Sequence, residues 1–138
     1  MKVLAIETAD ATKSIALAKD GVLLDEESFA GDLNVQFWPR VSGLLKKNKV
    51  KISDIDVFAA NSGPGSWTGL RFGLAVVKGW AVATGKKIFV MPAAELKLNL
   101  LAGHTAAAVL AGRCDRGEEP DKIKVLYGRL PEFKKYRL

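Results

Sequence analysis

Short apolar runs and polar turns alternate through the first thirty residues, the pattern of β-strands joined by tight connections. Residues 2–8 form one apolar run, residues 14–18 a second, and residues 22–29 a third. The dipeptide Asp20-Gly21 between the second and third runs is a strong hairpin signal, because both residue types tolerate positive φ. The pattern therefore predicts three antiparallel strands.

A helix is predicted between residues 33 and 48, where apolar side chains recur at helical spacing. The residues on its apolar face are Phe37, Trp38, Val41, Leu44 and Leu45. Pro39 lies within this segment, and a proline inside a helix costs about 3 kcal/mol and kinks the axis. We therefore expect a helix that either begins near Pro39 or is longer and bent there.

Strands and helices alternate in the next part of the chain. The predicted elements are a strand at 57–61, a helix at 68–84 closed by Gly85, a strand at 87–91, and a helix from 93 to about 101 after Pro92. The order βββαβαβα predicts an α/β domain, a mixed sheet with helices packed on it.

The pattern weakens beyond residue 104. Residues 106–110 and 123–127 are short apolar runs that predict two further strands, and the polar residues 113–121 between them predict a loop. No internal repeat or low-complexity segment is present.

A glycine-rich turn joins the strand at 57–61 to the helix at 68–84. Gly63 and Gly65 can take positive φ, Pro64 fixes one turn angle, and Ser66 or Thr68 can cap the helix. Backbone N–H groups at such a helix start can bind an anion. The spacing matches neither the P-loop nor G-x-G-x-x-G. Phosphate binding and a tight turn without a ligand both remain open.

The helix after this turn has almost no polar face, with only Arg71, Lys78 and Thr84 among its apolar residues. Apolar side chains on the face turned away from the sheet must contact something. Glycines 65, 69 and 73 recur every four residues, which would let a second helix approach closely. We expect an intermolecular partner on this helix, with a second lobe of the same chain as the alternative.

Composition narrows the class of protein. The chain has 138 residues, a net charge of +6 and one cysteine, so it is one domain, or one domain and part of another. Cys114 has no partner for an internal disulfide, which fits a reducing cytoplasm. No apolar run is long enough to predict a membrane helix, and the first residues predict a strand rather than an export signal.

The positive charge is concentrated in two segments, and basic segments attract nucleic acid. The first contains Arg40, Lys46, Lys47, Lys49 and Lys51. The second, residues 121–138, contains Lys122, Lys124, Arg129, Lys134, Lys135 and Arg137. Contact with tRNA is one interpretation. A solvated helix end and a charged tail are the other.

Two sequence blocks and the element order together resemble the TsaB (YeaZ) family. The blocks are Leu4-Ala-Ile-Glu-Thr8 and Gly63-Pro-Gly-Ser-Trp-Thr-Gly-Leu-Arg71. Family members typically begin with Leu-Ala-Ile-Asp-Thr-Ser and carry Gly-Pro-Gly-Ser-Phe-Thr-Gly-Leu-Arg, so the second block differs at one aromatic position. Residues 125–132 also look like the family's closing Tyr-Leu-Arg segment. The match in element order covers roughly residues 1–102.

The resemblance implies an actin-like ATPase (ribonuclease H-like) fold. Residues 1–102 would form its first lobe, and residues 103–138 a reduced remnant of the second lobe with a basic tail. It also implies a non-catalytic scaffold in tRNA threonylcarbamoyladenosine (t6A37) synthesis, forming homodimers and binding TsaD and, through it, TsaE. The implied partner surface lies on the first two helices, at Phe37, Trp38, Val41, Trp67, Leu70, Arg71, Leu74, Val77 and Lys78.

Several positions depart from the family pattern. Glu7 replaces the usual aspartate and Ala9 the usual serine of the first phosphate loop. The resemblance also leads us to expect that most of the second lobe, which closes the nucleotide cleft in the family, is missing. The His-x-x-x-His metal site of TsaD is absent, and His104 alone is expected to be a surface or packing residue. We therefore expect no metal site, no cofactor and no catalytic residues.

The alternative to the scaffold is a reduced nucleotide-binding protein or phosphotransferase that binds ATP with Mg²⁺. Its phosphate-binding residues would be Glu7, Thr8, Gly63, Gly65 and Ser66. A protease is disfavoured, because a single histidine would have to serve every catalytic role.

Overall fold

A computed structural model describes residues 1–99 and 104–123 of the chain. Its centre is a five-stranded mixed sheet in the order β3-β2-β1-β4-β5. The strands are β1 (Lys2–Glu7), β2 (Lys13–Lys19), β3 (Val22–Phe29), β4 (Val57–Gly63) and β5 (Lys87–Pro92). The helices are α1 (Leu33–Lys47), α2 (Trp67–Thr84), α3 (Ala93–Leu98) and α4 (Ala106–Arg113). The predicted order βββαβαβα is confirmed up to α3.

The first three strands form the predicted antiparallel unit. Asp20 and Gly21 have φ values of 51° and 79°, as a type I′ hairpin turn requires. β4 then pairs parallel to β1, and β5 parallel to β4. Because β1 and β4 are parallel neighbours, their carboxyl ends lie side by side, and this arrangement places Glu7 near Asn61.

Both faces of the sheet are covered. On one face, α1 and α2 pack on large side chains that include Leu4, Ile6 and Phe58. On the other face, α3 and α4 pack on smaller residues that include Ala5, Ala16 and Ala59. The small side chains of the second face let α4 lie close to β1 and β2, where most of its contacts are made.

α4 corrects one prediction, because residues 106–110 form a helix and not a strand. Thr105 caps this helix by accepting a hydrogen bond from the Ala108 N–H at 3.1 Å. Ala107, Leu110 and Ala111 are buried at helical spacing, and alanine is the strongest helix former. Of the second predicted strand, residues 123–127, only Ile123 lies within the described residues.

The predicted loop at 113–121 contains more order than expected, since Glu118 forms a single β-bridge with Ile88. The predicted division of the chain at residue 102 stays a prediction. α4, which belongs to the predicted second segment, packs on β1 and β2 of the first.

α1 begins before Pro39 and runs through it, so the longer of the two predicted helices is the one observed. Pro39 is exposed, on the side of α1 away from the buried Phe37 and Val41. Among the described residues, no helix combines the length and hydropathy needed to cross a membrane.

Candidate functional site

The glycine-rich turn between β4 and α2 is shaped by three residues. Gly63 has the predicted positive φ, at 96°, and Ser66 caps α2 by accepting a hydrogen bond from the Gly69 N–H. Gly65 does not take positive φ, contrary to expectation. It is needed for space, because a Cβ there would lie 2.9 Å from the Cβ of Ala9.

The glycines of α2 pack against the end of β1 in the same chain. A Cβ at Gly69 would lie 2.0 Å from the Thr8 carbonyl oxygen, and one at Gly73 would lie 2.4 Å from Thr8 Oγ1. Thr8 Oγ1 donates a hydrogen bond to the Gly69 carbonyl at 2.6 Å. The interpretation that these glycines admit a helix from a second molecule is therefore wrong, since Thr8 and Ala9 of the same chain fill the space.

Glu7 lies at the carboxyl end of β1 and is fully buried. Its Oε1 accepts a hydrogen bond from the Ala9 N–H at 2.7 Å, whereas Oε2 has no hydrogen-bond partner among the described residues. Burial, with a smaller contribution from the nearby Asp10, raises the pKa of Glu7 to about 7 despite the lowering effect of the Ala9 N–H and Asn61. The side chain is therefore partly protonated at neutral pH.

The five predicted phosphate-binding residues do come together around the ends of β1 and β4, but two of their backbone N–H groups already bind neighbouring residues of the chain. The Gly63 N–H donates to Asn61 Oδ1 at 2.8 Å, and the Ser66 N–H donates to the Ala9 carbonyl at 3.2 Å. Phosphate binding by these residues stays a prediction. The turn has fewer free backbone N–H groups for an anion than its sequence implied.

An open cleft of about 530 Å³ lies between the β1–β2 loop and the start of α4, and the residues that line it do not include the glycine-rich turn. The polar side chains that line it include Asp10, Thr12, Ser14 and His104. His104 is exposed and its Nδ1 lies 2.7 Å from Glu26 Oε2, so it is a surface residue with a structural contact. No cluster of three potential metal ligands occurs in the described part of the chain.

The Glu26 side chain on β3 contacts residues at the start of α4 and so holds this helix against the sheet. Although burial opposes ionisation, the Thr105 N–H and His104 together lower the pKa of this carboxyl. The Thr105 N–H donates to Glu26 Oε1 at 2.7 Å. The Ala107 N–H donates to Ser14 Oγ at 3.0 Å. These contacts involve the first turn of α4 and fix one wall of the cleft.

The structure divides the predicted partner surface into buried and exposed residues. The side chains buried in the protein's own core are Phe37, Val41, Leu70, Leu74 and Val77. Trp38 and Trp67 are 47% and 42% exposed. Arg71 is exposed, and Lys78 is half-buried with Nζ donating to the Ile123 carbonyl. The buried residues cannot offer a partner any surface in this conformation.

Aromatic residues join α1 to α2. The Phe37 ring lies 5.0 Å from those of Trp38 and Phe72, in edge-to-face contacts, and 6.2 Å from that of Trp80. Trp38 forms the outer wall of this cluster. Sequence analysis left Phe72 and Trp80 out of the predicted surface. Their spacing with Val76, four residues apart along α2, was the signal that these three residues face α1.

The side of α2 turned away from the sheet is apolar and exposed. With Trp38 it forms a surface that we call the outer helix face, consisting of Trp38, Arg71, Ala75, Gly79, Val82 and Ala83. Val82 is 70% exposed, and a Cβ added at Gly79 would meet nothing within 4 Å. The expectation that α2 has more apolar surface than its own fold covers is therefore correct for this side of the helix as far as residues 1–99 and 104–123 are concerned.

The first basic segment is partly neutralised within the fold. Arg40 pairs with Glu27 at 2.5 Å, and Lys47 pairs with Asp25 at 3.2 Å. Lys46, Lys49 and Lys51 are exposed. Of the second basic segment, only Lys122 lies within the described residues.

Comparisons with known proteins show which proteins this chain is similar to. The model of the family described as TsaD, tRNA N6-adenosine threonylcarbamoyltransferase, matches residues 27–122. The TsaB protein of Escherichia coli K12, named for tRNA threonylcarbamoyladenosine biosynthesis, is 34% identical over 83 residues, or 59% of this chain and 36% of that protein. The tRNA N6-adenosine threonylcarbamoyltransferase of Kosmotoga olearia is 30% identical over 129 residues, or 80% of this chain and 37% of that protein.

Among solved structures, YeaZ from Pseudomonas aeruginosa is similar to this chain with a TM-score of 0.61 and 30% identity. The match covers 66% of this chain and 42% of that one. The chain thus spans little more than a third of the length of the curated relatives described above.

Proposed function

Because this chain belongs to the TsaD family, within which it is a TsaB (YeaZ)-type protein, we propose that it takes part in forming N6-threonylcarbamoyladenosine in tRNA. Its fold is the ribonuclease H-like lobe of an actin-like ATPase, as predicted. The proposed role is that of a non-catalytic scaffold in the cytoplasm. It docks TsaD, a second copy of itself, or each in turn through α1 and α2.

The outer helix face is the observation that supports this role. Ala75, Gly79 and Ala83 are small residues four apart on α2, and the exposed Val82 lies beside them. Small side chains let a second helix lie close, and the half-exposed Trp38 provides an aromatic anchor of the kind enriched at binding hot spots. An exposed apolar helix face of this kind marks a protein–protein contact more often than a site of chemistry.

Adding a neutral side chain to this face tests the proposal without disturbing the core. Gly79→Gln places a long side chain in open space on α2. Gly112→Gln does the same on α4, where a Cβ would also meet nothing within 4 Å, and is the matched control. We expect Gly79→Gln to weaken association at least about tenfold, because a protruding side chain keeps two packed surfaces apart.

Association is measured as the mass in solution, alone and with purified TsaD, by light scattering after size exclusion. The control should associate like the wild type. A wild-type protein that is monomeric and does not bind TsaD would overturn the scaffold, as would equal binding by the two glutamine variants.

A second candidate function rests on the cleft between the β1–β2 loop and the start of α4. Its volume and its hydroxyl side chains suit part of a nucleotide, and its lining begins at Asp10, which follows the buried Glu7 in the chain. The proposed ligand is ATP with Mg²⁺, held by the predicted residues Glu7, Thr8, Gly63, Gly65 and Ser66. Calorimetry with ATP and Mg²⁺ decides, and no heat at millimolar ligand would remove this candidate.

Two further partners are proposed from the family. One is TsaE, which is bound through TsaD, and the other is tRNA. Lys46, Lys49 and Lys51 are exposed and available to phosphates. If these lysines bind tRNA, the affinity falls steeply with added salt, because counterions are released from the nucleic acid on binding. An affinity that is unchanged between low and high salt would argue against tRNA contact.

A further inference from the structure

The end of the sheet at which β1, β4 and β5 begin carries two lysines that face each other. Lys2 on β1 and Lys19 on β2 are directly opposite partners in the antiparallel ladder. Like charges at opposed positions disfavour the pairing of two strands, so these lysines weaken the hairpin that they belong to. Neither lysine belongs to the basic segments that the sequence showed.

The connection into β4 brings a third lysine to the same end. The Lys2 N–H donates to Asp56 Oδ2 at 2.8 Å, and the Asp56 N–H donates to the Lys2 carbonyl at 2.9 Å. A single turn of 3-10 helix, residues 52–54, separates Asp56 from Lys51. Lys51 is exposed and therefore lies close to the start of β1.

A fourth lysine, Lys49, occupies a position that favours glycine. Its φ is 56°, in the left-handed region, directly after α1 ends. The Val50 N–H donates to the Leu45 carbonyl at 2.9 Å, the hydrogen bond that closes a helix of this kind. Asn48 Nδ2 donates to Asp25 Oδ2 on β3 at 3.0 Å, which holds the helix end beside the hairpin. The strain at Lys49 is thus retained next to an exposed ammonium group.

We call Lys2, Lys19, Lys49 and Lys51 the basic end. No carboxylate among residues 1–99 and 104–123 lies within 4.0 Å of any of their ammonium groups. The carboxylates of this region are engaged with other groups: Asp20 with the Met1 amino group, Asp25 with Lys47, Asp54 with the Lys51 N–H, Asp56 with Lys86, and Glu119 with Lys87. The fold therefore leaves the charge of the basic end unpaired.

The composition of the basic end fits a phosphate backbone and not unpaired bases. Proteins that bind single strands stack the bases on exposed aromatic side chains, whereas duplex RNA is recognised through its backbone and its shape. Of the phenylalanines, tyrosines and tryptophans in the described part of the chain, the exposed ones are Trp38 and Trp67. Trp67 begins α2 at the opposite end of the sheet, and Trp38 lies in the first half of α1.

We propose that the basic end binds the phosphate backbone of a double-helical stem of tRNA. This inference rests on the proposed role in tRNA modification and names the part of the RNA that is bound. Lysines that contact phosphates fix the position of the RNA and read no sequence. Their cost to the hairpin and to the end of α1 is then offset by binding.

Charge removal tests the proposal. Lys2→Gln/Lys19→Gln removes two cations of the basic end, and Lys13→Gln/Lys97→Gln is the matched control. The control lowers the net charge equally, at the opposite end of β2 and on α3. The probes are unmodified tRNA, a duplex RNA of about 16 base pairs, a single strand of the same length, and phosphatidylserine vesicles. Affinities are measured between about 50 and about 200 mM salt, and urea unfolding checks that the variants are folded.

We expect Lys2→Gln/Lys19→Gln to bind tRNA and the duplex about tenfold more weakly than the control at low salt, with a salt slope smaller by about two. Lys49→Gly should weaken binding and yet raise stability, because glycine suits the left-handed conformation. Equal RNA affinity of the two double variants, tighter binding to the single strand than to the duplex, or a loss confined to the vesicles would overturn the inference. The light-scattering measurement with TsaD tests the scaffold separately.

Discussion

Replacing Gly69 by alanine directly tests the contact between α2 and the end of β1. The new Cβ would lie 2.0 Å from the Thr8 carbonyl oxygen, 2.9 Å from the Thr8 carbonyl carbon and 3.1 Å from the Ala9 Cα. All three are backbone atoms, so no side-chain rotation relieves the overlap. The helix must instead move away from the strand.

The cost of that movement follows from the contacts it breaks. Overpacking of a core costs about 1–3 kcal/mol. Loss of the hydrogen bond from Thr8 Oγ1 to the Gly69 carbonyl adds about 1 kcal/mol. The higher helix propensity of alanine returns about 1 kcal/mol. We therefore expect Gly69→Ala to lower the free energy of unfolding by about 1–3 kcal/mol.

Gly79→Ala is the matched control within the same helix. A Cβ at residue 79 meets nothing within 4 Å, so only the propensity gain remains, and we expect this variant to be more stable by about 1 kcal/mol. Urea unfolding followed by circular dichroism measures both variants. If Gly69→Ala is as stable as Gly79→Ala, the close backbone contact does not exist in solution.

Three further predictions concern single side chains. The pKa of Glu7 is about 7 in the folded protein, against an ordinary value of 4.5, so between these two pH values the folded protein holds a proton that the unfolded chain releases. The free energy of unfolding should therefore fall by about 3 kcal/mol as the pH rises from about 4.5 to about 7. Glu7→Gln should flatten this slope in urea titrations, and an unchanged slope would show that another group causes it. Burial raises the pKa of the Cys114 thiol to about 12. Iodoacetamide should therefore alkylate this thiol far more slowly in the native protein than in urea. Equal rates of alkylation would contradict its burial. Pro39→Ala lets residue 39 donate to the Val35 carbonyl, and should raise the free energy of unfolding by about 1–3 kcal/mol; a loss of stability would mean that the proline suits this helix.

The parts of the fold that sequence analysis predicted are those with local signals. The Asp20-Gly21 turn indicated the hairpin of β2 and β3, and Ser66 and Gly85 marked the start and end of α2 to within a residue. Each of these signals depends on the conformational preference of one or two residues. They therefore hold without knowledge of the rest of the structure.

The errors arose where several arrangements fit the same pattern. An alanine-rich run such as 106–110 is too short for its period to distinguish a strand from a helix, and only the cap at Thr105 and the contacts with β1 and β2 settle it. The spacing of Gly65, Gly69 and Gly73 correctly indicated a close approach. It carried no information on whether the approaching backbone belonged to the same chain.

The assignment of surface residues on α2 failed for a related reason. This helix is apolar on nearly every side, so its sequence has no polar stripe to show which side faces water. Leu70, Leu74 and Val77 were expected at a partner surface, and the sheet buries them instead. The side that remains exposed holds smaller residues, which a search for large apolar side chains overlooks.

The junction of Thr8 with Gly69 also has a mechanical consequence. Because the Gly69 backbone lies directly against the Thr8 main chain and accepts a hydrogen bond from Thr8 Oγ1, the helix and the strand end form a closely packed joint. A load applied to α2 from outside is therefore transmitted to the loop at Asp10. Glu7, whose carboxylate is fully buried, directly precedes Thr8, so the buried carboxylate and the contact with α2 lie at the same strand end.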